Sequence, residues 1–244
     1  MKRMTFCIVA VLLFTGCGST SRENSIGTVS SPASLVLDTS SPEVAASHQF
    51  TAEIWADNWF ALYVNGEKVG EDSVPITTER SFNSETITFS ATYPLTLALE
   101  VKDYVENDSG LEYIGTDRQQ IGDGGVIAQI TDVDLGRLVA VTDNSWKAYP
   151  VRTAPLNPDC VTSSDPLVDC ESRILPVPEQ WAAPGFDDSA WPSATTFNAS
   201  EVGPKDGYDD VVWDSSARFI WGSDLKTDNV VLLRLDAVAA SPKL

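Results

Sequence analysis

Apolar and polar residues alternate with a period of two along most of the chain, the pattern of strands with one buried face. Phe50, Ala52, Ile54 and Ala56 fall on one side, and Thr51, Glu53, Trp55 and Asp57 on the other. Phe60, Leu62 and Val64 continue as a second strand that stops at Asn65-Gly66, a pair that tolerates positive φ and so predicts a tight hairpin into Lys68 to Gly70. Ile87, Phe89 and Ala91 repeat the alternation, as do Leu95, Leu97, Leu99 and Val101. Further strands are predicted at Val126 to Ile130, Leu138 to Val141, Arg218 to Trp221 and Val230 to Leu235. No long helical periodicity appears. The pattern predicts an all-β fold, a jelly-roll β-sandwich of about eight or nine strands. Eight of the fourteen prolines lie between Pro150 and Pro192, which predicts a long, loop-rich excursion.

The N-terminus breaks the pattern. Lys2 and Arg3 precede an apolar run from Thr5 to Thr15, too short to span a bilayer, which takes ~20 residues. Leu13-Phe14-Thr15-Gly16-Cys17 resembles the lipobox of bacterial lipoproteins, with Phe14 where that family usually has Leu. The resemblance implies cleavage before Cys17, lipid on Cys17, and, with Gly18 following, delivery to the outer membrane or cell surface. The expected organisation is a signal peptide over 1–16, lipidated Cys17 and a Ser/Thr-rich tether over 17–47, and a single β-sandwich domain over 48–238.

Charge and cysteine usage narrow the function. Loss of the signal leaves 14 basic and 35 acidic residues, a formal charge of −21 that repels phosphate backbones and excludes nucleic acid as a partner. With Cys7 removed and Cys17 lipidated, Cys160 and Cys170 remain, a pair that outside the cytoplasm is expected to close a disulfide loop. No histidine lies near them to complete a metal site.

Four segments resemble the galactose-binding-like jelly-roll accessory modules of bacterial α-rhamnosidases and sialate esterases. They are the hairpin Ala56-Asp57-Asn58-Trp59-Phe60-Ala61-Leu62-Tyr63-Val64-Asn65-Gly66-Glu67-Lys68-Val69-Gly70, the strand Gly124-Gly125-Val126-Ile127-Ala128-Gln129-Ile130, the run Thr142-Asp143-Asn144-Ser145-Trp146-Lys147, and Gly185-Phe186-Asp187-Asp188-Ser189-Ala190-Trp191. The resemblance implies the jelly roll and a structural Ca²⁺, and it implies scaffold more than a sugar site. The last segment reads as a structural turn. A fainter resemblance, carried by Trp55 to Gly66, Asp108-Ser109-Gly110-Leu111-Glu112-Tyr113 and Gly122-Asp123-Gly124-Gly125, is to surface copper-binding proteins of methanotrophs. That family holds Cu(I) with histidine and an oxidised tryptophan. Here the only histidine is His48, Trp55 is seven positions on, and both methionines leave with the signal.

Nucleophilic catalysis finds no support, because His48 sits at the tether's end and no Gly-x-Ser-x-Gly elbow occurs. Paired carboxylates are the one enzymatic route left open. Two loops gather oxygen donors for calcium: Asp103, Glu106, Asn107 and Asp108, and Asp206, Asp209, Asp210 and Asp214. The candidate metal ligands overall are His48, Trp55, Asp103, Asp108 and Asp123, and the candidate ligand-binding patch is Trp55, Asp57, Trp59 and Tyr63. Trp55 and Trp59 either share an exposed patch or are covered by further structure. The expected protein is lipid-anchored and non-catalytic, attached to the membrane, and binds a glycan or envelope component at the cell surface. The alternatives are a copper-binding protein using His48 and a modified Trp, or a structural, protein-interaction lipoprotein.

Overall fold

The structure, a computed structural model, describes residues 46–240. The signal, Cys17 and the tether up to residue 45 lie outside the described residues. Fourteen strands occur among them: β1 (Ser47–Asp57), β2 (Trp59–Val64), β3 (Glu67–Glu71), β4 (Asn83–Thr92), β5 (Leu95–Lys102), β6 (Leu111–Glu112), β7 (Gln120–Ile121), β8 (Gly125–Asp132), β9 (Arg137–Val141), β10 (Lys147–Thr153), β11 (Arg173–Ile174), β12 (Thr195–Phe197), β13 (Phe219–Trp221) and β14 (Asp228–Val238). Nine have five or more residues, in keeping with the number the alternation predicts.

All pairings are antiparallel. One sheet runs β12-β13-β8-β1-β4, with β9 also on β8, and the other runs β11-β10-β14-β5-β2-β3. The inward sides close on one core. Phe50, Ala52, Ile54, Ala56, Val126, Ala128 and Ile130 from the first sheet meet Phe60, Leu62, Val64, Leu97, Leu99, Val101, Val231 and Leu233 from the second. Each large side chain buried there is worth about 1.5–3 kcal/mol. The chain is therefore a β-sandwich.

Both outer faces are also covered, and this settles what the alternation left open. Trp55 and Ile127 on the outside of the first sheet are buried under Phe82, Val202 and Ala217. Ala98, Val151 and Leu232 on the outside of the second are buried under Trp181, Ala182 and Trp191 from the proline-rich excursion. The excursion is stapled by Cys160–Cys170, whose Cα atoms are 5.3 Å apart. Gln119 Nε2 ties the stapled loop to the body by donating to the carbonyls of Val161 (2.7 Å) and Ser163 (2.8 Å).

The hairpin forms where Asn-Gly predicts it, with Asn65 at φ 53° and Gly66 at φ 91°. Its turn is fixed from the side: Thr96 N–H donates to Asn65 Oδ1 (2.8 Å), and Asn65 Nδ2 donates to the Thr92 carbonyl (3.2 Å).

Candidate functional site

The patch expected from Trp55, Asp57, Trp59 and Tyr63 does not form. Between Asp57 and Trp59 the chain leaves the first sheet for the second, so outward positions on β1 and β2 face opposite sides of the sandwich. Trp55 is fully buried, packed edge-on against Phe219 and Tyr208, with Nε1 donating to the Asp206 carbonyl (3.0 Å). Trp59 is half-buried beneath the Lys102 ammonium, 4.4 Å from the ring centroid. Tyr63 is half-buried on the other outer face, edge-on to Trp181 at 5.4 Å.

Tyr63 keeps a site. A cleft of about 420 Å³ lies between the β2–β3 hairpin and the segment 180–183, lined by Tyr63, Asn65, Glu67, Gln180, Trp181 and Ala183. Gly66 brings hairpin and segment together, since a Cβ there would stand 3.3 Å from Ala183 Cα. Gln180 at the rim holds a left-handed backbone, φ 56°, a conformation that non-glycine residues rarely adopt. Burial, with the Glu100 carboxylate beside it, raises the Tyr63 hydroxyl above its ordinary value and keeps it a proton donor.

The cleft floor is pinned from beneath by a group that sequence reasoning missed. Arg234, fully buried on β14, donates through Nη1 to the carbonyls of Trp181 (3.0 Å) and Ala183 (2.9 Å). Its Nε donates to Asp188 Oδ2 (2.8 Å). The Phe-Asp-Asp-Ser-Ala-Trp segment is thereby a support. Asp187 Oδ1 accepts from Ser189 N–H, Asp188 holds Arg234, and Trp191 stacks on Tyr149 at 4.9 Å.

A second cluster lies off the opposite end of β2. Asp57 closes β1, Asp103 follows β5 and Asp123 lies between β7 and β8, yet their carboxylate oxygens come within 4.8 Å of one another. Asp57 (1% exposed) and Asp103 (3%) are buried. Burial, reinforced by Asp123, holds the Asp57 carboxyl well above the usual carboxylate range. Burial, then Glu112, does the same for Asp103. Glu112, on β6, is pushed by burial to about 7, although its Oε2 accepts from Gln120 Nε2 (2.8 Å). Lys205 Nζ is 3.9 Å from Asp57 Oδ2.

Of the other candidate metal ligands, Asp108 pairs with Arg152 at the surface. His48 shares β1 with Trp55, but seven positions put the two on opposite faces, about 23 Å apart along the strand. One copper ion cannot take both. His48 Nδ1 instead stands 3.0 Å from Asp132 Oδ2, an oxygen that also accepts from the Tyr93 hydroxyl (2.8 Å), with Asp134 beside them. This arrangement ties β1 to β8 and to the β4–β5 turn.

No protein-family model and no curated protein matches the chain. Among solved structures, the apo form of a lectin from Pleurotus ostreatus is similar over 81% of this chain and 70% of its own, at 15% identity and a TM-score of 0.35. A score of that size transfers neither topology nor ligand.

Proposed function

We propose that the chain is a lipid-anchored, non-catalytic binding protein of the cell surface, and that the cleft beside Tyr63 takes a glycan. The observation that carries this reading is the make-up of the cleft. A floor of half-buried Tyr63 and largely buried Trp181 meets a rim of one carboxylate, Glu67, and one amide, Gln180. Sugar rings present C–H faces that stack on aromatics and hydroxyls that pair with such groups. The floor is rigid, because Arg234 fixes its backbone and the Asn65-Gly66 turn fixes its wall. A preformed floor spares the ordering cost of binding. Attachment through lipid on Cys17 rests on the resemblance of residues 13–17 to a lipobox, and a domain so anchored would lie beside envelope glycans.

Catalysis does not fit the carboxylates that come together. Asp57 and Asp103 are too buried to meet a glycosidic bond.

One observation favours a second reading, a protein partner. The excursion exposes Leu156, Leu167, Val168 and Ile174 around the disulfide. Apolar groups clustered in this way mark interaction surfaces.

A glycan array probed with the full-length chain in detergent separates the two. The glycan reading expects specific sugars to bind, with quenched tryptophan fluorescence and loss of the signal in Tyr63→Ala. An empty array together with a partner whose capture fails in Val168→Asp establishes the second reading.

A further inference from the structure

We propose that Asp57, Asp103, Asp123 and Asn229 form a Ca²⁺ site at the end of the sandwich opposite the glycan cleft. Several polar atoms at this end of the sandwich lack a good partner. Asp57 Oδ2 and Asn229 Oδ1 make no hydrogen bond, the Asp103 carboxylate meets at most the Asn229 amide, and all are sealed from solvent. Burying one such group costs about 1–3 kcal/mol, and more for a charge. Asn229 is fully buried at the start of β14, its side chain set against the Asp103 carboxyl. Its amide touches the acidic group, and its Oδ1 has no hydrogen-bond partner.

Placement adds to this. The four residues come from four separate parts of the chain: the end of β1, the residue after β5, the β7–β8 connection and the start of β14. Local solvation of a loop does not gather carboxylates in this way. Gly122 brings the third segment in, because a Cβ there would stand 2.1 Å from Asp103 Oδ2. Only glycine lets the backbone before Asp123 close on Asp103. The three carboxylates repel one another, and among the described residues the single cation within 4 Å is the half-exposed Lys205 ammonium. A bound dication neutralises the group and meets the unpaired oxygens directly.

The donors select the ion. All are oxygens, so a hard cation is favoured over zinc or copper. Ligands 2.3–2.6 Å from one Ca²⁺ stand up to about 5 Å apart, and the carboxylate oxygens here lie within 4.8 Å of each other. Calcium also tolerates an irregular shell drawn from scattered segments, whereas Mg²⁺ demands a near-ideal octahedron. Of the two loops that composition nominates for calcium, only the first contributes a residue, Asp103.

The test titrates the full-length chain in detergent with CaCl₂ and with MgCl₂, reading thermal unfolding and Tb³⁺ luminescence. One Ca²⁺ per chain is expected, raising Tm at concentrations up to about 1 mM, the range of extracellular modules. Mg²⁺ is at least tenfold weaker. Asp103→Asn lowers Ca²⁺ affinity a hundredfold or more while the metal-free variant melts at or above the wild-type temperature, since one repelling charge is gone. Asn229→Ala weakens the ion less, and Asp209→Asn, in the second loop, leaves it unchanged. No Tm shift and no Tb³⁺ signal in the wild type would overturn the proposal. So would equal Ca²⁺ affinity in Asp103→Asn, or Mg²⁺ binding as tightly as Ca²⁺.

Discussion

Replacing Asp188 with alanine removes the one carboxylate that reaches Arg234 Nε and leaves a fully buried guanidinium short of a partner. Breaking a buried ion pair from one side costs about 3–5 kcal/mol when nothing else compensates. Here Arg234 keeps two carbonyl acceptors, and Asp236 lies 3.3 Å from Nη2 with its side chain 41% exposed. Asp188 itself is partly solvated. The expected loss is therefore about 2–3 kcal/mol, which for a domain of this size lowers Tm by roughly 5–10 °C. The effect also reaches the cleft, because the carbonyls that Arg234 holds belong to Trp181 and Ala183. Thermal unfolding followed by near-UV circular dichroism measures the first effect, and the Trp emission maximum reports the second. The double variant Asp188→Ala/Arg234→Met removes the stranded charge with its partner, so it should recover part of the loss. A Tm within about 1 °C of wild type for Asp188→Ala, or a double variant whose loss from wild type equals the sum of the two single-variant losses, would refute the assignment of Asp188 as the counterion.

Three further outcomes follow from the same structure. Cys160→Ser/Cys170→Ser opens a loop whose ends are ten positions apart, a loss of up to roughly 3 kcal/mol in chain entropy, read as a lower denaturant midpoint. An unchanged midpoint would show that the staple contributes nothing to the described domain. Asp72 is held up to about 6 by burial, against an ordinary value of 3.8. Between about pH 4 and 6 the folded protein therefore keeps a proton that the unfolded chain releases, and stability falls as the pH rises. Asp72→Asn should gain about 1–3 kcal/mol at pH 7 and nothing near pH 3, and a gain of the same size at both would contradict it. Thr142→Val removes a hydroxyl that accepts from Ala128 N–H (2.9 Å) and donates to the Arg218 carbonyl (2.7 Å). It should cost about 1–3 kcal/mol in urea unfolding, and a neutral result would show those groups satisfied otherwise.

Much of the fold was legible because side-chain alternation reports which face of a strand is buried. β1, β2, β4, β5, β8, β9 and β14 all lie where the pattern sets them. β10 was hidden because Pro150 reads as a breaker, whereas it sits where the pairing with β14 shifts register and a missing N–H does little harm. The site was legible only in parts. Alternation sets Trp55 and Tyr63 outward, but it does not report that their strands belong to different sheets, nor that both outer faces carry a further layer. Asp57, Asp103 and Asp123 were each recognisable as candidates, while Asn229 looked like an ordinary residue at a strand's start. Arg234 gave no signal, since a cation at an outward position usually meets water and this one meets the excursion. What joins these residues is long-range pairing, which no local window contains.

Isothermal titration of the strongest array ligand against wild type and Tyr63→Ala decides whether the cleft between the hairpin and Trp181 binds a glycan. Saturable one-site binding to the wild type is expected, with at least a tenfold weaker affinity for the variant and Tm confirming that the variant is folded. Equal affinity for the two proteins would contradict it.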